Sequence, residues 1–462
     1  MRQLVLLLVA VAAVSAATAQ PSREEVDARP AIVIPTMTTY SGTIYTSAEA
    51  VAPKGYEPFY MTGYLRHGSR YESRDKYPTE TRNYFRAAAE HNLLTPLGRR
   101  VKEYMDNHYD IHDKRIGDLT RIGYEQHLGI GRRLGRRFPT LFKDGATVAS
   151  IASMRMRSTM SMVAFFEGLK EQNPRLRTDM VSSEEHAAIV RPQDPKANAH
   201  YPAAQHQAYE QFVHDSLRHP INRWADSSLD FSHAWRAMFT EPDKFCALFP
   251  ECHPMKLLTD IYKRLSFEQN IRPEATLELV QEVFTADERY NIYRIENAVW
   301  YYRCASAAYP TLARSMSEHR VLFDHITSLA DKAIAGHRSE VADLRFGHDY
   351  YLIPIASILG IDGQSITFGR GKELSDNVEA AVNRAAELWR GYKITPKAGN
   401  VLLVLYRPTN AKGDTLVRVL LNERDVELPL LKAVVPHFYK WQDVKELIYR
   451  QLDRIDRLAE AK

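Results

Sequence analysis

A chain of 462 residues that is 45% hydrophobic and 26% charged has enough apolar content for a large folded core and the ordinary balance of a globular protein. Its formal net charge of +4 is too small for a general nucleic-acid binder, yet it permits a local basic pocket for an anionic ligand.

In chain order, the N-terminus reads as an export signal. Arg2 supplies the positive start, Leu4 to Val14 is uninterruptedly apolar, and Ala17-Thr18-Ala19 offers a small-residue cleavage site before Gln20. The apolar run is shorter than the ~20 residues of a spanning helix. The expectation is cleavage after Ala19, no stable membrane insertion, and a protein working in a periplasm or outside the cell. Residues 21–58, with prolines at 21, 30, 35, 53 and 58, predict an extended arm lying on the body. Phe59 to Leu65 is the first strand and leads into Arg66-His67-Gly68-Ser69-Arg70. Helices follow from Glu80 to His91, Pro96 to His108 and Thr120 to Phe138. A second buried strand spans Thr147 to Ser153, and Met162, Phe165, Phe166 and Leu169 stand at helical spacing within Ser158 to Gln172.

From Asn173 to Gly336 the pattern is helical, with sparse strand signals. Ala342 to Phe346 is a short strand ending in Gly347-His348-Asp349, before an apolar helix from Tyr350 to Leu359. A helix from Asp376 to Tyr392, strands Asn400 to Tyr406 and Leu416 to Leu421, and a terminal helix Trp441 to Leu458 complete the pattern. Alternation of strands and helices at both ends predicts an α/β fold, a mostly parallel sheet with helices on both faces and an inserted α-helical lobe. The expected division is a signal peptide at 1–19, a core formed by 20–172 and 337–462, and a helical cap at 173–336. Of the three cysteines, Cys246 and Cys252 are close enough in sequence to pair, and three buried thiols is the alternative.

The chemistry concentrates in the Arg66–Arg70 loop. Each arginine presents a planar fork of donors that matches phosphate oxygens. Breaking a phosphate monoester without a metal requires fixed donors for the non-bridging oxygens, an in-line nucleophile and a proton for the leaving oxygen. Arg66 and Arg70 suit the first need, and a neutral ring nitrogen of His67 the second. Gly68, lacking a β-carbon, would let a phosphate approach the backbone. A solvated surface turn is the alternative for these five residues alone. Arg157, at the turn after the second strand, is placed to add a third fork, with Arg155 as its competitor. The nearby Met154, Met156, Met160 and Met162 read as core packing. His348-Asp349 differs from His112-Asp113 and His214-Asp215 because it alone follows a strand and a glycine and opens an apolar helix. There His348 can donate to a phosphate oxygen and Asp349 can protonate the leaving alkoxide. Asp349 equally suits a helix N-cap, a position that favours the charged carboxylate, so an acid there works best at low pH.

Taken in order, these motifs resemble the histidine acid phosphatase family, the branch of histidine phosphatases that includes phytases and inositol polyphosphate phosphatases. Leu119-Thr120-Arg121-Ile122-Gly123-Tyr124-Glu125-Gln126 looks like the family's Leu-Thr-x-x-Gly-x-x-Gln helix start. Arg157 with Ser161 and Ala164-Phe165-Phe166-Glu167-Gly168-Leu169 matches the segment of the third arginine, which prefers Arg157 over Arg155. Leu420-Leu421-Asn422-Glu423 resembles a late strand. The resemblance implies a phosphoglycerate mutase-like core and an exported, metal-independent phosphomonoesterase with no cofactor. It implies His67 as the nucleophile that becomes a phosphohistidine, Arg66, Arg70, Arg157 and His348 as the phosphate shell, and Asp349 as proton donor. Two departures stand out: Glu72 replaces the proline that often follows the loop, and His348-Asp349 replaces the His-Ala-Glu of the inositol polyphosphate branch. The expected partner is a small phosphate monoester, first an inositol polyphosphate such as phytate. The alternatives are a sugar phosphate, a broad range of esters, or a non-catalytic phospho-ligand binder. Arg74, Lys76 and Arg82 are candidates to hold a highly anionic substrate, or else an ordinary solvated loop. Arg132, Arg133, Arg136 and Arg137 read as surface charge.

Gly129-Ile130-Gly131-Arg132-Arg133-Leu134-Gly135 superficially matches a dinucleotide-binding loop, but it is interior to a helix rather than between a strand and a helix, so its glycines point to close helix packing. No His-Glu-x-x-His spacing marks a metal site.

Overall fold

One eight-stranded sheet organises the protein, whose computed structural model describes residues 22–40, 51–250, 252–272, 277–369, 371–410 and 412–460. The expected signal segment lies outside the described residues. Among the described residues, no helix is long and apolar enough to cross a membrane. The strands are β1 (Tyr56–Arg66), β2 (Thr147–Ala152), β3 (Arg177–Val181), β4 (Ala342–Gly347), β5 (Asn400–Pro408), β6 (Leu416–Leu421), β7 (Arg424–Asp425) and β8 (Phe438–Lys440). Their order is β3-β2-β4-β1-β5-β6-β7, with β8 against β6. Strands β1 to β4 are mutually parallel. β5 runs against β1, and β6 against β5, so β6 again runs with β1. The sheet is therefore mostly parallel, as expected, with its antiparallel pairs gathered on one side.

Period-two alternation feeds two cores. Along β1, Tyr60 and Tyr64 face one core while Met61 and Leu65 face the other; along β5, Val401 and Leu403 oppose Leu402 and Val404 in the same way. The helices that matter here are α1 (Ser22–Ala28), α2 (Lys76–Glu90), α3 (Pro96–His112), α4 (Arg121–Arg137), α5 (Met156–Gln172), α6 (Pro254–Ser266), α7 (Ala286–Cys304), α8 (Arg320–Ile334), α9 (Asp349–Leu359), α10 (Val378–Leu388) and α11 (Trp441–Glu460). Ile130 and Leu134 of α4 and Phe165 and Phe166 of α5 join the Met61 core. Phe323 of α8, Ile353 of α9 and Ile448 of α11 join the Tyr60 core, which continues into α6 and α7 through Leu258, Ile261, Ile292 and Val299.

Several expectations need correction. The proline-rich arm is not extended: it holds α1 and two short 3-10 turns at Pro30–Ile32 and Pro35–Met37, because Val26, Ile32, Val33 and Ile34 are apolar anchors buried in the main core. Residues 173–336 are not wholly separate from the sheet. β3 pairs with β2 as an edge strand, and its Arg-Thr-Asp-Met-Val gives no apolar signal because the strand is largely exposed. The helix expected from Asp376 to Tyr392 breaks at Trp389, which turns to an extended conformation to bury its ring while its carbonyl accepts from Asn297. Arg132 pairs with Glu171 at the surface, but Arg133 and Arg137 bind Glu423 and Asp425 and fasten α4 to the turn after β6. Cys246, Cys252 and Cys304 form no disulfide.

Of the α4 glycines, Gly131 and Gly135 do serve packing against α5. A β-carbon on Gly131 would collide with the Phe165 carbonyl, and one on Gly168 with that of Leu128. Gly131→Val is accordingly expected to lower stability by about 1–3 kcal/mol by wedging the helices apart, as denaturant unfolding would measure.

Candidate active site

Strand order brings the dispersed motifs together. Arg66 at the end of β1 stands beside Gly347 at the end of β4, and Phe346 of β4 pairs with Ala152 of β2. The loops leaving three neighbouring parallel strands therefore carry Arg66–Arg70, His348-Asp349 and Arg155–Arg157 to one end of the sheet. β5, running the other way, returns residues 395–399 to that same end. Arg66 donates its backbone N–H to the Gly399 carbonyl at 2.8 Å, and Ala398 N–H donates to the His67 carbonyl at 3.0 Å.

The loop is clasped from α4. Thr120 donates its backbone N–H to the Ser69 carbonyl at 2.9 Å, and Gln126 Oε1 accepts the Ser69 N–H at 2.9 Å. A β-carbon on Gly68 would strike the Gly123 carbonyl, so this glycine permits close contact with α4. Ser161 Oγ accepts the Gly68 N–H at 3.1 Å. His127, which burial holds neutral with its pKa down to about 4, supports the Arg66 carbonyl through Nε2 at 2.9 Å.

His67 is buried, and its Nδ1 lies 2.8 Å from the Gly68 carbonyl. A carbonyl only accepts, so Nδ1 carries the hydrogen and Nε2 the lone pair. Burial, then Arg157, His348, Arg66 and Lys397, hold His67 well below the usual histidine range, which keeps that lone pair free. The His348 ring stands edge-on, 5.3 Å away between centroids. Its Nε2 lies 3.0 Å from Ser153 Oγ, and its backbone N–H donates to Tyr64 Oη at 3.1 Å.

Arg66, 1% exposed, donates to the Thr395 carbonyl at 2.6 Å, the Thr36 carbonyl at 2.8 Å and Asp349 Oδ2 at 2.7 Å. Burial lowers its pKa to about 10. Arg157 falls to about 9 through burial and the neighbouring Arg70 and Arg155. The Nε atoms of Arg66, Arg70 and Arg157 are all buried without an acceptor. For Asp349, burial pushes the carboxyl up, but Arg66, Lys397 and Arg70 outweigh it and hold it below the usual range. Asp349 is the first residue of α9 and His348 the N-cap, so the alternative cap role does not fall to Asp349, although its Oδ1 accepts the Tyr350 N–H at 3.1 Å.

The structure thus gathers Arg66, His67, Arg70, Arg157, His348 and Asp349. Arg155 is exposed beside them. Arg74 and Lys76 are not brought in: both are exposed at the start of α2, and no hydrogen bond or ion pair joins them to the cluster, because the loop turns outward once Glu72 is anchored. Glu72 itself is buried, with Arg264 Nε of α6 2.8 Å from its Oε1 and His108 Nε2 at 3.3 Å. Burial raises this carboxyl, but Arg264 and His108 more than reverse the effect. The residue that breaks the proline pattern is therefore a lock between the loop and the helical segment. Lys397 and Ser153 were missed from sequence. Ser153 closes the predicted second strand, and Lys397 precedes an antiparallel strand, where a search of strand C-termini does not look. Among the described residues, no three His, Cys, Asp or Glu side chains are grouped to hold a metal ion.

With this geometry in hand, the chain matches the histidine phosphatase superfamily, branch 2, over residues 65–422. It belongs to that family and is, by class, a phosphatase. No curated protein sequence matches it significantly. Among solved structures, the Bifidobacterium longum multiple inositol polyphosphate phosphatase in complex with inositol hexasulfate aligns with a TM-score of 0.70 at 21% identity, covering 90% of this chain and 97% of that one. The same B. longum protein in complex with phosphate gives 0.68 at 20% with equal coverage. The phytase from D. castellii gives 0.63 at 13%, covering 91% of this chain and 85% of that one. At these identities the likeness is one of fold.

Removing the Glu72 charge strands Arg264, so Glu72→Gln should destabilise the protein by about 3–5 kcal/mol at neutral pH. Because the folded-state pKa is depressed, that contribution is complete above the unfolded value and shrinks as pH falls below about 4. Denaturant unfolding at neutral and acid pH checks both.

Proposed function

We propose that the protein is an exported phosphomonoesterase that works through a phosphohistidine, with inositol polyphosphates as its substrates. The observation that carries the chemistry is a buried histidine whose Nδ1–H is committed to the Gly68 carbonyl and whose pKa burial, Arg157 and Arg66 lower, together with the buried Nε donors of Arg66, Arg70 and Arg157 that lack acceptors. A dianionic phosphoryl group supplies the acceptors those donors need. His67 Nε2 attacks phosphorus, the P–N bond forms as the ester P–O bond breaks, and Arg66, Arg70 and Arg157 neutralise the non-bridging oxygens. Ser153 Oγ accepts the Arg155 N–H at 3.3 Å and gives its own hydrogen to His348 Nε2; His348 then donates from Nδ1 to a phosphate oxygen. Asp349, protonated in the acid range, passes its proton to the leaving alkoxide. Its carboxylate later takes a proton from the water that attacks the phosphohistidine, which returns His67 and releases inorganic phosphate.

The substrate reading rests on the cationic pocket and on the fold shared with a multiple inositol polyphosphate phosphatase and a phytase. A sugar-phosphate or broad-specificity acid phosphatase uses the same chemistry. Phosphate release from inositol hexakisphosphate, glucose 1-phosphate and an aryl phosphate separates these: dominant glucose 1-phosphate turnover with no attack on inositol phosphates would remove the preferred substrate. Export rests on residues 1–19, and the mass of the protein recovered outside the cytoplasm should correspond to a start at Gln20.

His67→Ala should cut turnover by at least about a thousandfold while a phosphate analogue still binds; retained turnover would refute the nucleophile assignment. Asp349→Asn should impair an alkyl phosphate far more than an aryl phosphate, whose leaving group needs little protonation. Since the Asp349 pKa is lowered, wild-type rates on alkyl esters should fall as pH rises from the acid range, and initial-rate profiles should lose that fall in Asp349→Asn.

A further inference from the structure

We infer that Lys397 is a fourth cationic ligand of the substrate phosphate, a binding residue outside the arginine set. The inference rests on the phosphatase reading and adds a residue to its site. Lys397 is 1% exposed, and its place is dictated by backbone contacts on either side. Thr395 and Gly399 give their carbonyls to Arg66, Ala398 gives its N–H to the His67 carbonyl, and Lys397 N–H donates to the Thr38 carbonyl at 2.8 Å. Ala398 adopts a left-handed conformation at φ +60°, which turns the chain sharply between these contacts. Among the described residues, the Lys397 side chain makes no hydrogen bond or ion pair.

A buried ammonium without a partner is costly, and proteins retain one where an anion arrives to pair with it. The charged groups that act on Lys397 are Arg66, Arg70 and Arg157 on one side of the balance and Asp349 on the other. His67 in turn feels Lys397. Burial and the arginines lower the lysine pKa well below its usual value, opposed by Asp349 alone. Lys397 thus differs from the arginines in being a donor whose charge pH can remove.

The probe is inorganic sulfate, a tetrahedral dianion whose own charge does not change over the working pH range. Calorimetry on the full chain compares wild type, Lys397→Met and Lys397→Arg. Lys397→Met should weaken sulfate binding about 10- to 100-fold, the loss of one charge-assisted contact. Lys397→Arg should bind sulfate much as wild type does. Wild-type affinity should fall as pH rises, with a limb that Lys397→Met lacks and Lys397→Arg moves to higher pH. Without anion, Lys397→Met should melt at or above the wild-type temperature, as expected when an unpaired buried charge is removed. Lys397→Met binding sulfate with wild-type affinity and pH dependence would overturn the inference. Wild type that binds sulfate but cleaves no phosphate ester would instead overturn the proposed function and leave this assignment standing.

Discussion

The buried guanidinium of Arg66 is the contact on which the rest of the site depends. It ends β1, the strand between β4 and β5, and reaches three other parts of the chain at once: the N-terminal arm at Thr36, the segment before β5 at Thr395, and the start of α9 at Asp349. A guanidinium taken out of water must have its donors matched. That requirement draws in the arm, the β5 approach and the acid 283 residues away in sequence. Removing any of these partners would leave a buried donor exposed to the cost of desolvation.

Around that anchor the fold concentrates positive charge to a degree that no pairwise contact offsets. Burial lowers the pKa values of Arg70, Arg157 and Lys397; neighbouring cations add to this, Arg264 for Arg70, Arg70 and Arg155 for Arg157, and Arg66 and Arg70 for Lys397, while Asp349 opposes it at all three and Glu72 at Arg70. On the proposed function, the site is prepared for a dianion before one arrives, which is how an enzyme supplies electrostatic stabilisation without reorganising during reaction. Burial, helped by these cations, holds His67 and His348 well below the usual histidine range, and the cations hold Asp349 below the usual carboxylate range against the effect of its burial.

The supporting layer is built differently from the site. Thr120 and Gln126 hold the loop through backbone and amide hydrogen bonds, which carry no net charge and so do not compete with the ligand, and Gly123 lets α4 pack closely against it. Glu72 is the carboxylate that acts most strongly on Arg70, and Arg264 and His108 hold it in place. Through Arg264 the helical segment is tied to Glu72 and so to the Arg66–Arg70 loop.

Read alone, the sequence determined the elements with strong periodicity and the residues whose type declares their chemistry: two arginines around a histidine after a strand, a third arginine after the next strand, and a His-Asp pair opening an apolar helix. Those signals are local, and the local pattern was enough for the family, for the approximate course of five of the eight strands and of the named helices other than α1 outside residues 173–336, and for six residues of the cluster. Tertiary structure alone decided what depended on which strands lie side by side. The parallel pairing of β1, β2 and β4 made one site from three motifs, and the outward turn after Glu72 removed Arg74 and Lys76 from it. β3 escaped notice because an exposed edge strand needs no apolar run, and the arm because its short turns are stabilised by distant packing. Lys397 was invisible for a topological reason: β5 runs antiparallel to β1, so the residues before it, not after it, arrive at the end of the sheet where the motifs meet.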